Sequence, residues 1–117
     1  MNLEEVYTQM NGDYADVMSR LPRPASIIKF LRRFKDNEEF NDMVKAAEDK
    51  DYKRVFELSH DLKGMTANLS ITKLSSLTSE ICEQTRNREP DEGFTELVGK
   101  AQAEYNTVID AIDKLED

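Results

Sequence analysis

A chain of 117 residues, 38% hydrophobic and 34% charged, has the length for one ordinary domain with one core, and it holds no apolar run of membrane-spanning length. Its net charge of −8 argues against nucleic acid and anionic membrane surfaces as partners, because both are polyanions. A single cysteine, Cys82, allows no internal disulfide, and the acidic start "MNLEEVYTQM" is unlike a signal peptide, so the cytoplasm is the expected compartment.

Apolar spacing is helical nearly throughout. Leu3, Val6, Tyr7 and Met10 share one face, and so do Tyr14, Val17, Met18 and Leu21, with Gly12-Asp13 between the two short pieces. "LPRP" then breaks the chain, since proline lacks an amide donor and restricts its predecessor. Ile27, Ile28, Leu31 and Phe34 form the next stripe. Asp36-x-x-Glu39 has the form of a capping box for a further helix carrying Phe40, Met43, Val44 and Ala47, and the pattern fits either two helices or one kinked helix. Asp51 is the expected N-cap of a helix from Tyr52 to about Leu69. Thr72 is the expected cap of the next, with Leu74, Leu77, Ile81 and Thr85 inward. After the loop "NREPDEG", the last helix places Phe94, Leu97, Val98, Ala101, Tyr105, Val108, Ile112 and Leu115 on one face. No segment has strand periodicity. The expectation is a single all-α domain over 1–117. It is an antiparallel, up-and-down four-helix bundle over about 24–115, with short helices over about 2–21 packed as a cap.

The only histidine, His60, lies in "LSHDLKGMTANLS". At about 100° per residue, Val55, Leu58, Ser59, Leu62, Met65, Thr66 and Leu69 form the core side of this helix, and His60 falls roughly 160° from its centre. Phe56, Glu57, Lys63 and Gly64 are its same-face neighbours. A lone surface histidine is ordinarily a solvated side chain, and Lys63 has local carboxylates in Glu57 and Asp61. Gly64 is harder to explain, because glycine inside an exposed helix costs about 1 kcal/mol relative to alanine. The set makes sense as a protruding nucleophile with clearance beside it and a cation for an anionic adduct. A neutral imidazole nitrogen can attack a phosphoryl group.

"HDLKGMTANLS" resembles the signature of histidine-containing phosphotransfer (HPt) domains of two-component phosphorelays: His60, Leu62, Lys63 and Gly64 match directly, and Asn68-Leu69 also fits. The likeness extends over about Asp13 to Leu115. It implies that His60 is the phosphoacceptor, Lys63 balances the phosphoryl charge and Gly64 gives a partner access. It also implies transfer to and from aspartates of response-regulator receiver domains, with hybrid sensor histidine kinases as further partners. No cofactor or metal is expected in the chain itself, since Mg²⁺ belongs to the receiver. The chain would be a phosphoryl carrier rather than a turnover enzyme, monomeric and without membrane insertion. Two positions depart from the pattern. Ser70 stands where the family usually has a second glycine, and Cys82 where the following helix often offers the imidazole a polar partner.

The competing reading is a non-catalytic helical adaptor that binds a receiver or other signalling protein. A metal enzyme is disfavoured because one His and one Cys cannot supply the usual nitrogen and sulfur ligand sets. A self-phosphorylating kinase is disfavoured by the lack of a Gly-rich nucleotide loop. The run "LRRFK" reads as a solvated face in preference to a docking edge, and Cys82 as a small packing residue.

Overall fold

In the computed structural model, which describes residues 1–116, seven helices and no strands are formed: α1 Leu3–Gln9, α2 Tyr14–Arg20, α3 Pro24–Asp36, α4 Glu39–Glu48, α5 Tyr52–Asn68, α6 Thr72–Thr85 and α7 Phe94–Asp113. Pro24 opens α3 at its first turn, where a missing amide proton costs nothing. Asp51 caps α5 by accepting from the Arg54 amide, as expected.

The chain between α3 and α4 resolves the ambiguity of that region into two helices. Asp36 remains helical and does not cap α4. Instead Asn37 is extended (φ −78°, ψ 132°), and its Oδ1 accepts from the Glu39 amide at 2.7 Å. An asparagine side chain that bonds the amide two residues on replaces the helical hydrogen bond and stops the helix. The capping box expected at Asp36 and Glu39 is therefore not formed. Nor does Thr72 cap α6: Ile71 occupies the N-cap position without a side-chain bond, and the Thr72 hydroxyl donates to the Ser70 carbonyl.

Packing follows chain order around a ring. α4 lies on α5, α5 on α6, α6 on α7, and α7 returns to α3 and α4. Only Asp49–Asp51 separate α4 from α5, and Leu69–Ile71 separate α5 from α6, so each pair must turn back on itself. The 20 residues of α7 span about 30 Å, most of the 41 Å long axis. Its first half meets α5 and α6, with Phe94 edge-on to Tyr52. Its middle meets both α3 and α4 through Tyr105, stacked on Phe40 at 4.0 Å and edge-on to Phe34.

The N-terminal helices do more than lie over the bundle. α1 runs back along the second half of α7: Met1 bonds the Lys114 carbonyl, and Asn11 bonds Glu104. Val6, Tyr7, Met10 and Val17 are fully buried in the same core as Ile27, Leu31, Leu74 and Val108. Glu104 sits on an otherwise apolar face yet is buried, held by Asn11 at 3.0 Å and Lys73 at 3.5 Å.

Candidate functional site around His60

α5 is amphipathic in the sense that the residue spacing required. Val55, Leu58, Ser59, Leu62, Thr66 and Leu69 are buried, Met65 is half-buried, and His60 is exposed near the middle of the helix. The two hydroxyls on the buried face return their protons to the helix: Ser59 donates to the Phe56 carbonyl and Thr66 to that of Leu62. Neither therefore competes for the imidazole.

Lys63 is half-buried, three residues beyond His60, and forms no ion pair with Glu57 or Asp61 among the described residues. Gly64 is exposed, and a Cβ placed on it would meet nothing within 4 Å. None of the described residues occupies that space. Ala67 and Asn68, also exposed, continue the strip of short side chains.

On the other side of the histidine the structure reveals a group that periodicity could not supply. The Phe56 ring lies 6.2 Å from the imidazole, and the guanidinium groups of Arg86 and Arg88 stand 5.5 Å and 5.0 Å from that ring. Arg86 is also held by Glu83, which raises its pKa by hydrogen bonding. Arg88 adopts φ 63° and bonds the Thr85 and Arg86 carbonyls at the end of α6. Both arginines lie past the last helical turn, so the only sequence signal was their proximity to a loop.

The departures at Ser70 and Cys82 have different meanings. Ser70 has φ 54°, a left-handed conformation in which glycine is the low-cost residue. Its hydroxyl donates to Asp16 Oδ2 at 2.6 Å and accepts from Arg20. Arg20 in turn donates to the Asn68 and Ala67 carbonyls at 2.7 and 3.2 Å, closing the exposed end of α5. Asp16 is pulled below the usual carboxylate range first by the Ser70 bond and then by Arg20. Sequence spacing gave no hint of this link from α2. Cys82 is a free, buried cysteine, whereas the imidazole of His60 is exposed.

A family model described as Hpt domain matches residues 30–117. Neither the curated proteins nor the solved structures contain a match to the chain. The described residues contain no helix long and apolar enough to cross a membrane. With an all-helical fold and three quarters of its length matched, the chain belongs to the Hpt domain family, the histidine phosphotransfer modules of phosphorelays.

Proposed function

We propose that His60 is the phosphoacceptor through which this chain relays a phosphoryl group between receiver aspartates. A ring nitrogen lone pair attacks phosphorus as the bond to the aspartyl oxygen breaks. The aspartate leaves as a carboxylate, and the other ring nitrogen keeps its proton. Return to a second aspartate reverses these bonds. Lys63 on one side, and Arg86 and Arg88 behind Phe56 on the other, supply positive charge for the adduct. Catalytic Mg²⁺ comes with the receiver, where it stabilises the transferring group. The cytoplasm and a monomeric state remain our expectation for the working protein.

The observation that carries this reading is the open side of Gly64 next to an exposed histidine. An adaptor has no use for a helix-weakening glycine beside an imidazole, whereas attack requires the reacting atoms to close to about 3–3.5 Å. The test is incubation with a phosphorylated receiver domain, followed by mass analysis for an acid-labile adduct on His60. His60→Gln should stay folded, since exposed substitutions cost under about 0.5 kcal/mol, and should accept nothing. An adduct elsewhere, or on the variant, overturns the assignment.

A further inference from the structure

Phe56 stands one turn before His60 on the same side of α5, and its ring centroid lies 6.2 Å from that of the imidazole, with 39° between the ring planes. Helix side chains lean towards the N-terminus, so the imidazole tips back over Phe56 and leaves the Gly64 side open. Phe56 is half-buried, yet unlike Tyr52, Met65 and Leu77 it does not pack against the hydrophobic core. Two cations at the end of α6 cover it instead, the guanidinium of Arg88 at 5.0 Å and that of Arg86 at 5.5 Å. Arg88 is itself fixed: it donates to the Arg86 carbonyl at 2.7 Å and to the Thr85 carbonyl at 3.2 Å. Arg86 is held by Glu83 at 3.2 Å. Among the described residues none hydrogen-bonds the imidazole, the buried Cys82 included. The ring contact with Phe56 is therefore what the chain itself offers to orient the histidine.

We propose that Phe56 is a positioning residue for phosphoryl transfer: its ring, clamped by Arg88 and Arg86, holds the His60 imidazole in the orientation that presents a nitrogen to the receiver's phosphorus. The inference rests on His60 being the transfer site. Aromatic pairs at 4.5–7 Å attract through their edges and faces, and cations over a ring hold it in place. The gain has a ceiling. A histidine in a helix has two favoured χ1 wells and a roughly two-fold χ2, about four orientations in all, so selecting one of them accelerates transfer by about fourfold at most. The bonds made and broken are those of the relay reaction already described.

The test is single-turnover transfer from a receiver domain loaded with acetyl phosphate, over a range of receiver concentrations. Phe56→Leu should lower the saturated rate by roughly three- to fourfold and leave the half-saturating concentration unchanged. Phe56→Tyr, which keeps the ring, should restore the rate. Arg88→Gln should cost less once Phe56 is already Leu, because part of its effect passes through the ring. Phosphoramidate, a small donor that needs no docked geometry, should label His60 equally in the parent and both Phe56 variants. An unchanged saturated rate in Phe56→Leu, or a slow Phe56→Tyr, overturns the proposal. A loss confined to the half-saturating concentration also overturns it, because Phe56 would then touch the receiver rather than orient His60. So do equal costs of Arg88→Gln in both backgrounds. NMR of the unaltered chain gives a check that needs no variant: nuclear Overhauser contacts between the Phe56 and His60 ring protons are expected, and their absence sinks the idea even if Phe56→Leu fails to fold. Failure of phosphoramidate to label His60 in the unaltered chain, with those contacts present, instead defeats the phosphoacceptor reading, and the positioning role falls with it.

Discussion

A glycine within an exposed helix weakens that helix by about 1 kcal/mol relative to alanine, and no packing contact among the described residues accounts for Gly64. Gly64→Ala should therefore raise stability by about 0.5–1 kcal/mol in urea unfolding. Gly64→Gln should also fold, because its side chain leaves into open space. That side chain would stand one turn from His60, where a receiver aspartate must approach. Transfer should fall by on the order of 10- to 100-fold. Loss of folding in Gly64→Gln would assign the glycine to internal packing, and unchanged transfer would remove access as its explanation. This residue was legible in the sequence because a helical wheel needs no tertiary information to set His60, Lys63 and Gly64 on one side. Arg86 and Arg88 were not, since their position depends on how the chain leaves α6 and folds back over Phe56.

The ends of the helices show where local pattern stops being sufficient. Asp36-x-x-Glu39 satisfied the letter of a capping box, but Asn37 makes a shorter-range bond to the Glu39 amide and leaves Asp36 inside α3. Choosing between those caps depends on where α3 stops packing against α7. Lys50 and Ser70 follow α4 and α5 with φ of 58° and 54°, and in both the next residue's amide closes the turn, Asp51 to Ala46 and Ile71 to Thr66. Glycine belongs at such positions. Lys50→Gly should thus stabilise the protein by roughly 0.5–1 kcal/mol. Ser70→Gly, with the same backbone gain, should not, because it removes the hydroxyl that Asp16 and Arg20 share. A gain of equal size at both positions, measured by urea unfolding, would show that the Ser70 side chain contributes nothing. The Asp16 carboxyl has a lowered pKa in the folded chain. Its contribution is therefore complete above the unfolded aspartate range and is lost as pH falls below about 5. The stability gap between the parent and Asp16→Asn should narrow over that acid interval, and a gap independent of pH would contradict a charged bond to Ser70.

At the scale of the whole molecule, the family match begins at residue 30, while the hydrophobic core begins at Leu3. α1, α2 and the first turns of α3 lie outside the match yet are not an appendage. Val6, Met10 and Val17 are fully buried, and at about 1.5–3 kcal/mol per side chain they represent roughly 5–9 kcal/mol as an upper bound. That is comparable with the whole stability of an ordinary domain, about 5–15 kcal/mol. The same helices hold the end of the histidine helix: Tyr7 Oη donates to the Leu69 carbonyl at 2.7 Å, the Asp13 amide to that of Ser70 at 2.9 Å, and Arg20 to that of Asn68. Burial pushes the Tyr7 hydroxyl well above its ordinary pKa, so it remains a donor throughout the neutral range. A fragment spanning 22–117 retains every proposed site residue and most of the bundle. It should nevertheless lose the cooperative unfolding transition, or unfold at a much lower midpoint, in urea followed by circular dichroism. If the fragment unfolds cooperatively at a urea midpoint close to that of the full chain, the first two helices are a dispensable cover. If it does not, the ordered end of α5, and with it the placement of His60, depends on helices outside the region that defines the family.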